Sequence, residues 1–221
     1  MTTPADTAGP RSGRGRIDKQ QAVLAAAFAV FARVGYAQAR VDEVAAEAKV
    51  AKATVYNHFG DKDTVFRAAV RSLSDSALAA NLAAVERLSD RVDNTGESRG
   101  DDLREALRDV GARLTACYCD ADARALRRLV CAEATLFPDL PDLVDEISTR
   151  VVGALADRLA RLALAGELRI DDPDVAAQQF AALLTGPVEA RSRSGTRDVT
   201  ESELRVVTDA AVTTFLAAYG R

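Results

Sequence analysis

The densest set of side chains able to do chemistry in this 221-residue chain is Lys52-Ala53-Thr54-Val55-Tyr56-Asn57-His58-Phe59. Val55 and Phe59 stand four apart and share one face of a helix, which leaves Lys52, Thr54, Tyr56, Asn57 and His58 on its other sides. Those are the types that nucleic acid requires. Lysine and hydroxyl groups meet phosphates, asparagine and lysine reach base edges, and histidine serves for either. Lys62, just beyond, can neutralise one more phosphate. Enzymatic chemistry has little to work with, because His58 is the single histidine. The chain also lacks a nucleophile elbow, a phosphate loop and metal-ligand spacing. No enzyme activity, cofactor or metal is expected.

Eight residues cannot position themselves, so the flanking elements matter. Val41, Val44, Ala45 and Ala48 predict a short helix, and Lys49 to Ala51 a three-residue turn leading into the segment above. Before them, Val23, Leu24, Ala27, Phe28 and Phe31 predict a helix over 17–34, closed by Gly35. After them, Asp61 can cap a fourth helix carrying Val65, Phe66, Ala69, Val70 and Leu73. Two short helices about a tight turn, braced by a third, lay the last one in a DNA major groove about 12 Å wide while its predecessor crosses the backbone.

Phe31, Gly35-Tyr36, Val44-Ala45, Val50, Thr54-Val55-Tyr56, His58-Phe59 and Lys62 together resemble the DNA-binding signature of the TetR family of regulators. The resemblance implies that Thr54, Tyr56, His58 and Lys62 contact DNA, mainly phosphates, and that Lys52 and Ala53 approach bases. Arg16, Val41, Asp42 and Asn57 complete the DNA-facing set expected here. Four positions depart from the family pattern: Ala39 and Arg40 where Thr and Ser or Thr are usual, Lys49 for Gly, and Ala51 for Ser. Both short helices therefore lack a capping hydroxyl, at a typical cost of about 1 kcal/mol each, and a non-glycine residue in a left-handed turn costs about as much.

Composition agrees with a helical protein that meets DNA at one end. Aromatic residues make up 5% and tryptophan is absent, so alanine and leucine fill the apolar positions, and these lose little rotamer freedom in a helix. The formal charge of −4 conceals an asymmetry: residues 1–71 hold 11 Lys/Arg against 7 Asp/Glu, and residues 72–221 hold 18 against 26. This is the pattern of a nucleic-acid module joined to an acidic body. Residues 1–15, with Arg11 and Arg14 among glycine and proline, read as a disordered basic arm. The longest apolar run, Ala22 to Ala32, is shorter than the roughly 20 residues a bilayer requires, and no signal-peptide pattern follows it. No membrane partner and a cytoplasmic location are expected. Cys117, Cys119 and Cys131 lack the spacing of a disulfide framework or zinc site and read as reduced packing residues, with a thiol redox sensor as the alternative.

The all-α expectation is thus a helix-turn-helix domain over 16–66 and a helical effector-binding and dimerisation domain over 67–221. Apolar spacing predicts five helices after the polar loop at 90–102. Leu103 to Cys117 mark the fifth; Leu126, Leu129, Val130 and Phe137 the sixth, stopped by Pro138. The seventh runs from Pro141 to Gly166, Asp172-Pro173 opens the eighth, and the pair Thr200 and Glu203 opens the ninth. Glu133-Ala134, Phe137-Pro138, Gly166-Glu167-Leu168, Asp172-Pro173 and Gln179-Phe180 resemble the C-terminal domain of AefR-like regulators, a branch of the same family.

The resemblance implies a dimer, closed by a four-helix bundle from helices eight and nine, around an effector pocket in each copy. The pocket candidates are Leu114, Cys117, Tyr118, Val130, Glu133, Phe137 and Phe180. Glu133 shares the helical spacing of Leu126, Val130 and Phe137, so it reads either as an acid meeting a cationic or hydroxylated effector or as half of a structural pair with an arginine. For the dimer interface the candidates are Ala177, Phe180, Ala181 and Leu184 on helix eight, and Leu204, Val207, Ala211, Phe215 and Ala218 on helix nine. Those stripes read as more than a monomer needs to close its own core. The expected partners are a double-stranded DNA operator with two half-sites, an unidentified small-molecule effector and a second copy of the chain. A ligand-released repressor is the leading reading. A cysteine-based redox-responsive regulator, or an activator of the same fold, is the alternative.

Overall fold

The computed structural model describes residues 12–92, 100–193 and 195–221; the side chains of 12–16, 89–92 and 100–101 lie outside the described set. Every regular element among these residues is a helix, apart from one isolated antiparallel bridge between Leu168 and Gly220. The chain divides into two compact units, 1–72 and 73–221, a few residues beyond the expected boundary at 66.

The first unit contains α1 (Ser12–Gln38), α2 (Val41–Glu47), α3 (Lys52–Phe59) and the beginning of α4 (Lys62–Val92). Of the residues expected to form the basic arm, 12–15 lie in α1, and 1–11 fall outside the described residues. Gly35, at φ 75 and ψ 167, breaks α1 before a last short helical stretch to Gln38, a conformation that glycine adopts without a Cβ penalty. Val23, Val30, Phe31, Val44, Val55, Phe66 and Val70 form the interior. Phe31 and Phe66 meet edge to face with ring centroids 4.9 Å apart, and Tyr36 lies 5.0 Å from Phe66.

The departures at the short helices have the consequences their residue types dictate. Arg40 and Ala51 occupy the N-cap positions of α2 and α3, and neither supplies a side-chain cap. Lys49 sits at φ 55, in the left-handed region where the resemblance implies glycine. Asp61, by contrast, caps α4 as expected, accepting a hydrogen bond from the Thr64 N–H at 2.7 Å.

The second unit holds the rest of α4 with α5 (Gly100–Cys119), α6 (Ala121–Glu133), α7 (Leu140–Leu164), α8 (Pro173–Ser192) and α9 (Glu201–Tyr219). Its helix starts are strongly signalled. Asp120 accepts from the N–H groups of Asp122 and Ala123, Asp172 does the same at α8 ahead of Pro173, and Thr200 with Glu203 forms a reciprocal capping box. α4 and α5 run into the ends of the loop expected at 90–102, and α6 ends at Glu133 rather than at Pro138. The N–H groups of Leu136 and Phe137 turn back onto the Glu133 carbonyl, so Phe137 is not on the helix that carries Glu133.

Within this unit α5 packs against both α8 and α9, and α7 against α8. Leu107, Val110, Leu159, Ala177, Phe180, Leu184, Ala211 and Phe215 belong to one buried cluster. The approach at Gly111 is so close that a Cβ there would stand 3.0 Å from Thr208 Cγ2 and 3.2 Å from Leu184 Cδ2. This packing removes six of the nine residues expected at the dimer interface. Ala177, Phe180, Leu184, Val207, Ala211 and Phe215 are all buried inside the single chain, with the Phe180 and Phe215 rings 4.9 Å apart. Ala181 and Leu204 are half-buried, and of the nine residues only Ala218 is exposed. The apolar stripes are real, but α5 and α7 of the same chain cover them.

Candidate functional site

On α3 the inward pair is as its spacing dictates, with Val55 and Phe59 buried. Lys52, Ala53, Tyr56 and Asn57 are exposed, and Thr54 and His58 are half-buried. Lys52 Nζ lies 2.7 Å from Asp42 Oδ1 and 5.8 Å from the Tyr56 ring centre. The Asp42 carboxylate, accepting from the ammonium, pushes the Lys52 pKa up. Asp42 thus ties α2 to α3 and holds a base-reading candidate over an aromatic face. Val41 is a correction: its side chain is buried, because the first turn of α2 points it into the interior, and it presents no side chain to DNA. Arg16 lies in α1 with its side chain outside the described residues.

Lys62 is held in a similar way. Its ammonium stands 4.4 Å over the Tyr36 ring and donates to the Ala37 carbonyl at 3.3 Å. The Tyr36 hydroxyl donates to Asp63. Burial first, and then the hydrogen bond to the Asp63 carboxylate, push the Tyr36 phenol up to about 12, so it remains a donor. Tyr36 is a residue whose part sequence reasoning missed. The Gly35-Tyr36 pair was visible, but nothing local shows that the ring becomes a platform for a lysine 26 positions later.

The second unit contains a partly open cavity of about 230 Å³. Leu114, Cys117 and Tyr118 line it as expected; Val130, Glu133, Phe137 and Phe180 do not. Val130, Phe137 and Phe180 are consumed by the apolar interior, and Glu133 is half-buried at the last residue of α6. The walls that spacing did not reveal come from Asn81 on α4, Arg127 on α6, Ile147, Ser148 and Val151 on α7, and Ala181, Leu184 and Thr185 on α8. Which helix faces converge on a void is a tertiary property.

One end of the cavity is built by Tyr118 and Arg127. The Tyr118 hydroxyl donates to Glu189 Oε2 at 2.9 Å, and the Arg127 guanidinium lies 3.9 Å from the Tyr118 ring centre while donating to the Tyr118 carbonyl at 2.8 Å. Burial, followed by the Glu189 hydrogen bond, pushes the Tyr118 phenol up. Burial also pushes the thiols of Cys117 and Cys119 up, away from the thiolate that redox chemistry requires. Among the described residues, no cluster of three or more His, Cys, Asp or Glu side chains could hold a metal ion, and no helix is long and apolar enough to cross a membrane.

A short exposed helix, held by a tight turn to a second short helix and backed by a third, defines a helix-turn-helix DNA-binding unit, here followed by a helical body with a cavity. Residues 23–69 match the model for bacterial regulatory proteins of the tetR family, and residues 105–221 match that for the AefR-like transcriptional repressor C-terminal domain. The chain belongs to the TetR family and is a helix-turn-helix transcriptional regulator. It is 29% identical over 216 residues to an HTH-type transcriptional repressor of Mycobacterium tuberculosis, covering 98% of each chain. Among solved structures, a TetR-family regulator from Mesorhizobium loti superposes with a TM-score of 0.81 at 28% identity, over 96% of this chain and 100% of that one. A flavonoid-responsive regulator does so with 0.62 at 27% identity, over 92% and 97%.

Proposed function

We propose that the protein represses transcription in the cytoplasm as a dimer on a two-fold symmetric operator, and leaves DNA when a small molecule fills the cavity of its second unit. The observation that carries the reading is the row Lys52, Tyr56 and Asn57, exposed on α3 over the buried pair Val55 and Phe59. In this docking Thr54, Tyr56, His58 and Lys62 meet phosphates, while Lys52, Ala53 and Asn57 face base edges. The name of the mycobacterial relative supports repression as the sign of control. The raised thiols support a ligand rather than a cysteine switch as the signal.

The dimer contact falls on the outward faces of α8 and α9. Ala182, Gly186 and Ala190 recur at every fourth residue of α8, all exposed, and Val206, Ala210 and Ala217 form an exposed row on α9. Val206, 60% exposed, adds apolar area to this row. Small side chains let helices approach closely. A two-fold through this face sets recognition helices about 34–36 Å apart or farther, so that each dimer reads two half-sites. Ligand and DNA then compete through their different affinities for two conformations.

Selection of bound fragments from a random DNA library tests the whole reading. A two-fold symmetric consensus is the expected result, with binding that falls in Tyr56→Ala and Lys62→Ala. An asymmetric consensus, or undiminished affinity in both variants, would refute the docking.

A further inference from the structure

The chemistry of the cavity narrows its ligand, an inference that rests on the proposal that a small molecule fills it. Among the described residues that line it, Arg127 alone carries a charge, while Leu114, Leu126, Ile147 and Val151 supply apolar wall. The guanidinium is half-buried and has no ion-pair partner among the described residues. Glu189, which accepts from the Tyr118 hydroxyl at 2.9 Å, makes no ion pair with it. What holds the cation is weaker: the face of Tyr118 at 3.9 Å and a single N–H given to a backbone carbonyl. An arginine fixed in this way keeps its remaining N–H donors in a planar fork, and a half-buried charge without a direct ion pair gains from acquiring one.

We infer that the cavity selects a small carboxylic acid, its carboxylate paired with Arg127 and a compact apolar body against α5 and α7. Size limits the body. A void of about 230 Å³ falls below the roughly 300–1,000 Å³ of clefts that hold drug-sized ligands, and a single ring or a short branched chain fits it. A hydroxyl on that body has a partner in Thr185, whose own proton goes to the Ala181 carbonyl at 2.9 Å, leaving its oxygen to accept. The adjoining open cleft carries Asp120, whose Oδ1 caps α6, and Asp122, and neither carboxylate lines the cavity itself.

The test is calorimetric titration of the full-length protein, without DNA, with benzoate, 4-hydroxybenzoate, benzamide and benzylamine. Benzoate and 4-hydroxybenzoate bind at least about tenfold more tightly than benzamide, the worth of a charge-assisted pair, and benzylamine does not bind. Arg127→Gln abolishes the preference for acid over amide, and Arg127→Lys retains part of it. If either variant fails to fold, the wild-type ranking decides alone. Equal binding of acid and amide, tighter binding of benzylamine, no binding of any probe, or an acid preference that survives Arg127→Gln would overturn the assignment. Operator release is measured separately by fluorescence anisotropy. Acids that bind without releasing DNA would sink the coupling proposal while leaving the ligand class standing, and release by neutral or cationic molecules alone would do the reverse.

Discussion

The two units put their functional groups in opposite places. In the first unit, the residues proposed to meet DNA stand on the outside of a short helix, over an interior that needs only two residues of that helix, Val55 and Phe59. In the second, the residues proposed to meet a ligand line a cavity assembled from α4, α5, α6, α7 and α8. A surface site on a short helix is a property of local spacing. A cavity is a property of how several long helices meet, and the same apolar stripe can line a void, fill a core or face a partner.

The largest effect should come from placing charge on the two sides of α9. Ala211 is buried beside Phe215 and Phe180, so Ala211→Arg or Phe215→Asp is expected to cost several kcal/mol and to unfold the second unit rather than to yield a folded monomer. Ala210→Arg, one residue away on the exposed face, should keep the helical signal and the melting temperature while halving the mass in sedimentation. A folded Ala211→Arg protein, or a dimer untouched by Ala210→Arg, would erase the distinction drawn between the faces.

Next in size are the DNA-facing groups. Lys62→Ala is expected to weaken all sequences alike and to lower the slope of log affinity against log salt by about one unit, the mark of one lost phosphate contact. Lys52→Ala and Asn57→Ala should instead alter base preference, by about 1–3 kcal/mol at the affected position. Asp42→Ala sharpens the point. It frees Lys52 from its 2.7 Å partner, and should blur base preference without changing the salt slope in the manner of Lys62→Ala.

Smaller again are the missing caps. Ala51→Ser restores a hydroxyl at the N-cap of α3 and should stabilise the first unit by about 1 kcal/mol. Lys49→Gly, relieving the φ of 55, should add a comparable amount. Urea midpoints monitored within the first unit measure both, and a loss in either variant would mean that the present residue makes a compensating contact.

The smallest expected effect is a pH dependence in the second unit. The hydrogen bonds from Arg197, and then from the Thr200 N–H, hold the Glu203 carboxyl down from its ordinary 4.5 to about 2. A depressed carboxyl contributes stability that is present above 4.5 and is lost as the pH falls through about 2. Both partners are partly open to solvent, Arg197 at 40% and Glu203 at 31%, so screening keeps the contribution modest. Comparing wild type with Glu203→Gln in denaturant between pH 5 and pH 2 should show the gap closing toward acid; a gap that stays constant would assign the capping box no ionic component.

What the sequence by itself determined is whatever depends on neighbours within about four residues. The caps at Asp61, Asp120, Asp172 and Thr200, the inward pair Val55 and Phe59, and the uncapped starts at Arg40 and Ala51 are each written in a few consecutive residues. So is the assignment of Lys52, Tyr56 and Asn57 to the exposed side of α3, because one helix with two buried residues leaves no other side for them. The tertiary structure decided the rest. It turned Val41 inward, brought Tyr36 beneath Lys62, ended α6 at Glu133, and set Arg127 against Tyr118 at the edge of a cavity. It also decided that Ala177, Phe180, Val207, Ala211 and Phe215 close the chain's own core. Helical periodicity records that residues share a face, since the period is a property of the backbone. What that face meets depends on elements as much as a hundred residues away, and no local pattern carries that information.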